Sequence, residues 1–314
     1  MTIFRPSRNG VKAAEYFPGD MVEVRSWPEI AATLDEKGNC ENLPFMPEML
    51  GFAGRQFRVS RRAFKTCIDD QEMRELKNTV FLEDVRCDGA GHGGCSKGCL
   101  IFWKEAWLKP VGAQASTNGS HKHTLTESDL AALAEREGQF VCQSSEIINA
   151  SSPLPWWRWK QYVWDLSRNR VSLLSWLRSL LVAVYNKIAY VGGFNGWGFI
   201  VGNGADGSGF QPLNLRPGDL VRVKSLSQIK ETLDPSGKHQ HLLFAPAMTQ
   251  FCGRVLRVRN RVDKIILEGT RSQRNLKDTV MLEEAICDGI CHRMCPRQSF
   301  LFWRECWLER VEAN

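Results

Sequence analysis

Two stretches of this chain repeat each other in register, and that repeat limits the fold more than any other feature of the sequence. The segment PGDMVEVRSWPEIAATLDEKG, which begins at Pro18, matches PGDLVRVKSLSQIKETLDPSG, which begins at Pro217. The match continues through GRQFRV at Gly54 and GRVLRV at Gly253, and it ends on FWKEAWLKPV and FWRECWLERV. Agreement spread over so many separate segments predicts a tandem duplication.

The duplication divides the 314 residues into three parts. Copy 1 spans 1–112, copy 2 spans 213–314, and an insert spans 113–212. The insert opens with the polar linker ASTNGSHKHT and continues with Trp-rich stretches of helical pattern and a glycine-rich return. A chain of this length has room for more than one hydrophobic core.

Each copy has the pattern of several short strands and one short helix. Pro-Gly-Asp signals a turn, and the MVEVRS that follows in copy 1 alternates apolar and polar residues, as a half-buried strand does. Residues 28–34 and 227–233 have helical spacing, and RQFRVSRRAF, NTVFLEDVRC and LIFWKEAWLKPV have strand character, the first and last also allowing a helix. We therefore expect an α+β protein with two homologous small β-barrel-like copies, joined by a helical Trp-rich insert.

The turn PGD-x-V-x-V that opens each copy resembles the start of SH3-like and KOW-type modules, including the barrel in the β subunit of nitrile hydratase. This resemblance implies an SH3-like barrel for each copy. The whole repeat, with its CDG motif, its cysteines and its FWxExWL ending, also resembles a bacterial Cys-rich repeat family. The second resemblance implies no particular activity.

Eleven cysteines require a chemical explanation. The segment MTIFRPSRNGVKAAEYF has no apolar run of the length that a signal peptide needs, so we expect a cytoplasmic protein. Thiols stay reduced in the cytosol, and metal binding or reactivity is therefore favoured over disulfides.

Four cysteines of copy 1 are candidate metal ligands. Cys67 lies in KTC, and Cys87, Cys95 and Cys99 lie in the glycine-rich loop CDGAGHGGCSKGC. Glycine permits the tight turns that would bring thiolates together. Four thiolates suit Zn²⁺ and equally a 4Fe–4S cluster, but not Mg²⁺ or Ca²⁺. We expect zinc, with an iron–sulfur cluster as the first alternative and unliganded thiols as the second.

Copy 2 keeps only part of this set, because Ile266 and Ser299 replace two of the four cysteines. Its candidate ligands are Cys287, Cys291 and Cys295, with His292, Cys306 or no protein group as the fourth. This exchange fits a retained site of altered geometry and fits a decayed site as well. An open fourth position would allow chemistry on the metal. For His92 and His292, which occupy matching positions, hydrogen bonding is favoured over ligation.

Other repeated polar residues favour structural roles. The Asp of each CDG precedes a glycine. A role in capping the turn, or in hydrogen bonding to a metal ligand, is favoured over general acid–base catalysis. Glu105 and Glu305 each lie between paired tryptophans. A buried ion pair with Arg55 or Arg254 is favoured over general-base catalysis for these carboxylates.

The helical insert raises the question of a membrane. Residues 173–191 approach the length of a membrane span, but Arg178, Asn186 and Lys187 interrupt them, so we expect no transmembrane helix. A packed helix is favoured over an amphipathic helix on a membrane surface. The tryptophans expected to be mainly core or interface aromatics are Trp156, Trp157, Trp159, Trp164 and Trp176.

The net charge of +6 is compatible with an anionic partner without requiring one. The sequence contains no P-loop and no dinucleotide fingerprint. We expect a metal-binding tandem-module protein that acts as a binding or scaffold protein for an unidentified protein or small molecule. The first alternative is a metalloenzyme with an iron–sulfur or open metal site in copy 2, between the copies. The second is a nucleic-acid-binding small-barrel protein, suggested by the Arg-rich strands after Gly54 and Gly253.

Overall fold

The computed structural model describes residues 14–68, 72–113, 125–136, 138–204, 210–268 and 270–311. The predicted linker ASTNGSHKHT lies outside these residues. The chain divides into two units. Unit 1 is Met1–Leu173, Ile266–Gln273 and Cys295–Arg297, and unit 2 is Leu174–Ile265, Arg274–Met294 and Gln298–Asn314. Two short segments of copy 2 therefore belong to unit 1, and the insert contributes to both units.

Copy 1 is built on an antiparallel sheet. In chain order its elements are β1 (Met21–Val24), α1 (Trp27–Ala31), β2 (Asn39–Cys40), β3 (Leu43–Pro44), β4 (Gln56–Arg62), β5 (Lys65–Ile68), β6 (Glu72–Glu75), β7 (Thr79–Leu82), β8 (Trp103–Lys104) and β9 (Leu108–Pro110), with 3-10 helices at Pro47–Phe52, Ala90–His92 and Glu105–Trp107. The main sheet has the order β8–β7–β4–β1–β9. In β1, Val22 and Val24 are fully buried while Met21 is 45% exposed, which is the alternation of a half-buried strand.

The predicted strand LIFWKEAWLKPV is two strands with a corner between them. The 3-10 helix Glu105–Trp107 separates β8 from β9, and these two strands form opposite edges of the sheet. The corner buries Trp107, whose ring meets Phe45 edge-on at a centroid distance of 5.2 Å. The chain thus passes from one edge of the sheet to the other within a few residues.

The insert supplies elements to each unit. They are α2 (Glu127–Leu133), β10 (Glu135–Arg136), β11 (Gln139–Phe140), α3 (Gln143–Glu146), β12 (Ser152–Pro153), α4 (Lys160–Ser167) and α5 (Leu173–Gly192). Thr126 caps α2, since its hydroxyl accepts a hydrogen bond from the Asp129 N–H at 3.1 Å. In unit 1, β12 pairs with β6 and extends the β5–β6 hairpin to three strands.

The helices and tryptophans of the insert differ in part from expectation. Of the helices in the described part of the chain, none combines the length and the apolar character needed to cross a membrane. Trp156, Trp157 and Trp159 are 49%, 69% and 66% exposed. They are therefore not core residues, because they precede α4 in an irregular segment whose buried residue is Leu154, and their prediction as interface aromatics stays a prediction.

Copy 2 has the same sequence of elements as copy 1. They are β13 (Leu220–Val223), α6 (Leu226–Lys230), β14 (Lys238–His239), β15 (Leu242–Leu243), β16 (Val255–Arg261), β17 (Lys264–Ile266), β18 (Gln273–Asn275), β19 (Thr279–Ile286), β20 (Phe300–Arg304) and β21 (Leu308–Arg310), with 3-10 helices at Pro246–Phe251, Ile290–His292 and Glu305–Trp307. The main sheet has the order β20–β19–β16–β13–β21, strand for strand that of copy 1. The coarse prediction of a mixed α and β protein is confirmed, and the strand pairs of the main sheets are antiparallel.

Each copy fixes its 3-10 corner with an ion pair. Glu105 Oε1 lies 2.8 Å from Arg62 Nη1, and Glu305 Oε1 lies 2.9 Å from Arg261 Nη1. Burial raises the pKa of Glu105, although the charge of Arg62 opposes the rise. Both glutamates therefore form ion pairs, and the pair is buried in copy 1 and partly exposed at Arg261 in copy 2.

The predicted partners of these glutamates were the wrong arginines. Arg55 lies over the rings of Phe52 and Phe57, at 5.5 and 5.3 Å from their centroids. Arg254 lies 3.7 Å from Glu284. The arginines that do reach the corner, Arg62 and Arg261, are the last residues of β4 and β16.

Candidate metal centre

The glycine-rich loop of copy 1, residues 87–99, closes on itself at its base. The Cys87 N–H donates to the Cys99 carbonyl at 2.8 Å. Gly89 has φ +78°, and a Cβ on it would lie 2.0 Å from the carbonyl oxygen of Cys95. Only glycine fits at this point, and the loop folds back on itself as the sequence predicts.

The Asp of each CDG motif caps the turn that follows it. Asp88 Oδ1 accepts a hydrogen bond from the Ala90 N–H at 2.9 Å, and Asp288 Oδ1 accepts one from the Ile290 N–H at 3.0 Å. The turn-capping prediction is confirmed in both copies, and each carboxylate orients the 3-10 helix that ends at the loop histidine.

Three side chains of copy 1 bring metal-ligating atoms together. One ligand atom each from Glu48, Cys87 and His92 lies within 4.8 Å of the other two. His92 Nε2 is 2.7 Å from Glu48 Oε1, and the Cys87 thiol donates to the same oxygen at 3.2 Å. Within the residues that the structure describes, no other group of three His, Cys, Asp or Glu side chains converges so closely.

This group is buried and incompletely hydrogen-bonded. The side chains of His92 and Glu48 are 2% and 7% exposed. His92 Nδ1 and Glu48 Oε2 have no hydrogen-bond partner among the described residues. A buried polar atom without a partner costs about 1–3 kcal/mol, so the group has unused capacity for a ligand.

The electrostatics of the group depend on burial. Burial raises the pKa of the Cys87 thiol, and the negative charge of Glu48 raises it further. Burial alone would also raise the pKa of Glu48, but the hydrogen bond and charge of His92 outweigh it, and this pKa lies below its ordinary value. Without a cation the group therefore holds a neutral thiol beside a carboxylate, and a bound cation would favour the thiolate.

A cavity of about 20 Å³ adjoins the group. The side chains around it include Cys87, His92, Cys95, Cys99 and Cys142. Its volume is enough for about one water molecule or a single ion. Three of the four cysteines predicted as ligands in copy 1 thus line one small space.

Cys67, the fourth predicted ligand, does not line this cavity. It lies on β5, and its Sγ is 3.3 Å from Cys295 Sγ. The hydrogen bond between the two thiols lowers the pKa of Cys295 against the effect of burial, and the backbone N–H and charge of Arg297 lower it as well. The structure therefore pairs a cysteine of copy 1 with one of copy 2 inside unit 1.

The candidate ligands of copy 2 lie in three different environments. Cys287, Cys291 and His292 are partly exposed members of the matching loop in unit 2. Cys295 lies in unit 1 beside its thiol partner. Cys306 is 3% exposed in the hydrophobic core of copy 2, where burial raises its pKa to about 11.

Sequence reasoning missed Glu48 and Cys142. Glu48 lies on the 3-10 helix Pro47–Phe52, and its distance along the chain from the loop hides the connection. One signal was present, because Ala247 occupies the matching position between the repeated proline and methionine of copy 2. Cys142 reaches the cavity from the insert, and nothing in its spacing indicates that.

Oxygen, sulfur and nitrogen donors converging on one buried point are the ligand types that proteins use for zinc. The group can accept a cation without rearranging the backbone, because its donor atoms already lie within 4.8 Å of one another. Comparison of the chain with protein-family models, with curated proteins and with solved structures gives no match.

Proposed function

We propose that this chain is a zinc-binding tandem-module protein in which copy 1 holds one ion on Glu48, Cys87 and His92. The observation that carries the proposal is the convergence of their three ligand atoms within 4.8 Å. The unpartnered His92 Nδ1 and Glu48 Oε2 add support, since buried polar groups are normally satisfied. The ion stabilises the module, which acts as a binding or scaffold protein for a partner that is a protein or a small molecule.

Cys99 is the proposed fourth ligand. It lines the same cavity as Cys87 and His92, and its carbonyl already accepts a hydrogen bond from the Cys87 N–H. Four protein ligands make a closed site, which is typical of structural rather than catalytic zinc. Such an ion would join the 3-10 helix Pro47–Phe52 to the loop, and its binding free energy would then contribute to folding.

Zinc is preferred to an iron–sulfur cluster because clusters are held mainly by thiolates, whereas two of the three converging donors are a carboxylate and an imidazole. The cluster remains the second candidate, since four thiols, those of Cys87, Cys95, Cys99 and Cys142, line the cavity. Thiolate ligands need a reducing compartment, so the proposal places the chain in the cytoplasm.

The proposal also covers the relationship of the two copies. We take them as duplicated SH3-like barrels. The equal strand orders, and the 3-10 corner that joins the edge strands in each copy, support this. The aromatic packing agrees as well, since Trp107 meets Phe45 and Trp307 meets Phe244 at centroid distances of 5.2 and 5.3 Å.

Metal content and an absorption spectrum test the proposal, on full-length protein purified without oxygen and without a metal-chelating tag. We expect one zinc per chain and no visible absorbance. Cys87→Ser should lose most of the zinc during purification, and the matched variant Cys287→Ser in copy 2 should retain it. Iron, sulfide and visible absorbance would show that the protein holds an iron–sulfur cluster and not zinc. Zinc retained by Cys87→Ser would refute the assigned site.

A further inference from the structure

Helix α5 turns an apolar stripe toward solvent. Large apolar residues recur along it at alternating spacings of three and four, at Leu174, Leu177, Leu181, Val184, Ile188 and Val191. Their exposed fractions range from 44% at Leu177 to 78% at Leu174. A helix of a globular protein normally buries such a stripe against the core. This one therefore needs a partner or an apolar phase.

The opposite side of α5 is buried. Ser179, Val182 and Ala189 are 3%, 2% and 1% exposed. The Ser179 hydroxyl donates to the carbonyl of Ile290 at 3.1 Å. The helix is thus fixed to its own unit by small and polar residues, and its longer apolar side chains are left outward.

The segment after α5 adds exposed aromatic residues. Phe194 and Trp197 are 49% and 47% exposed. Their rings meet Tyr185 edge-on at centroid distances of 6.0 and 5.5 Å. Asn186 holds this segment in place by accepting a hydrogen bond from the Trp197 N–H at 2.7 Å. The aromatic rings therefore pack against α5 through Tyr185.

The charged residues of α5 and of the segment that follows it have one sign. Residues 174–204 contain Arg178 and Lys187 and no Asp or Glu. Both basic side chains belong to exposed residues of α5. Trp and Tyr are enriched where proteins meet the interface of a bilayer, and Lys and Arg near that interface are attracted by anionic lipids.

We propose that the apolar stripe of α5, together with Phe194 and Trp197, docks unit 2 onto the surface of an anionic lipid bilayer. The helix would lie in the plane of the interface with its apolar side chains below the headgroups, as interfacial helices do. A second copy of the chain fits less well. Paired helices with apolar residues at spacings of three and four usually place opposite charges beside their contact. The charged residues of α5 are Arg178 and Lys187, which would repel those of a second copy.

Co-sedimentation with lipid vesicles tests the docking surface on the full-length chain. The probes are vesicles of phosphatidylcholine alone and vesicles containing phosphatidylglycerol. We expect binding to the anionic vesicles that weakens in high salt and exceeds binding to the neutral ones. The double variant Leu181→Glu, Ile188→Glu should bind at least 10-fold more weakly. Val255→Glu is the matched control, because Val255 is an apolar residue of β16 that is 43% exposed.

Three results would overturn the proposal. The first is the absence of binding to anionic vesicles, and the second is equal loss of binding in the Val255→Glu control. The third is that the unmutated chain forms a dimer in light scattering and does not bind vesicles, while the double variant is a monomer. The stripe would then be an interface between copies. If the double variant loses its helical circular dichroism, the variant Arg178→Gln, Lys187→Gln replaces it as the test. This variant should bind anionic and neutral vesicles equally.

Discussion

The loops at residues 87–99 and 287–299 have matching backbone contacts and different side-chain chemistry. The N–H of Cys87 donates to the carbonyl of Cys99 at 2.8 Å, and the N–H of Cys287 donates to the carbonyl of Ser299 at 2.9 Å. In each, an Asp caps a 3-10 helix that ends on a histidine. Copy 1 directs Glu48 at its loop, whereas copy 2 has Ala247 at the matching position.

A second difference accompanies the first. A Cβ on Gly91 would lie 2.8 Å from Glu48 Oε2, so the carboxylate and the glycine depend on each other. Copy 2 has Ala247 in place of the glutamate and Cys291 in place of the glycine. The comparison teaches that the ligand set changes in pairs, because a side chain at the loop position and a carboxylate facing it compete for one space.

The largest effect is expected at Lys65, a buried residue of copy 1 whose counterpart in copy 2 is partly exposed. Lys65 Nζ lies 2.7 Å from Asp165 Oδ2, and the two side chains are 0% and 1% exposed. At pH 8, Lys65→Met should lower the free energy of unfolding by about 3 kcal/mol, because it leaves a buried carboxylate without a partner. Lys264→Met, at the matching and partly exposed position of copy 2, should cost less than about 1 kcal/mol. Chemical denaturation measures both.

The same variant has an expected pH dependence. Burial raises the pKa of Asp165 to about 6, although the charge of Lys65 lowers it. Removing Lys65 would raise this pKa further. Asp165 would then be neutral at pH 5, and the loss of stability should be small there and grow as the pH rises above 6. A loss that is constant from pH 5 to pH 8 would contradict the buried ion pair.

Loss of one ligand should have the next largest effect. The binding free energy of structural zinc in small domains is about 10–16 kcal/mol, which is roughly 3–4 kcal/mol for each of four ligands. Cys87→Ser should therefore weaken zinc binding by roughly 100-fold to 1000-fold. Cys287→Ser is expected to leave the affinity unchanged. Competition with a chromophoric chelator gives both values. Equal weakening by the two variants would remove the distinction between the copies.

Converting the loop of copy 1 toward that of copy 2 should have a smaller effect. Gly91→Cys places a side chain against Glu48 Oε2 and should destabilise the protein by about 1–3 kcal/mol. Measured on the zinc-free protein, adding Glu48→Ala should restore the stability, but it should not restore the zinc affinity. Thermal and chemical unfolding of the two single variants and the double variant give the coupling energy. Additive effects would show that the two positions do not compete.

The smallest expected effect is the release of protons on binding. The pKa of Cys87 lies above its ordinary value through burial and the charge of Glu48, so the free site holds a protonated thiol at pH 7.5. Zinc must displace that proton, and its affinity should increase with pH. Calorimetry in buffers of different ionisation enthalpy measures the release. A binding enthalpy that is the same in all buffers would show that no proton is displaced.

Local signals made part of the fold predictable. Strand β1 follows from alternation after Pro-Gly-Asp, and the cap of α2 follows from the spacing of Thr126 and Asp129. The folding-back of the loop follows from its glycines, of which Gly89 tolerates no side chain. Each of these depends on residues close together in the chain, which is where sequence patterns carry the most information.

The remainder depends on contacts between distant residues. Glu48 reaches the loop, Arg62 rather than Arg55 reaches Glu105, and Cys67 meets Cys295 only through the folded chain. The orientation of α5 was also beyond the sequence, because an apolar stripe normally indicates the buried side of a helix.

Zinc K-edge X-ray absorption of the zinc-loaded chain tests the central claim most directly, because it identifies the ligand atoms. The proposed site of Glu48, Cys87, His92 and Cys99 predicts sulfur ligands at about 2.3 Å and nitrogen or oxygen ligands at about 2.0–2.1 Å, in equal numbers. Glu48→Gln should alter the contribution at the shorter distance, and Cys287→Ser should leave the spectrum unchanged. A shell of four sulfur ligands with no nitrogen or oxygen would contradict the assignment of Glu48 and His92 as ligands.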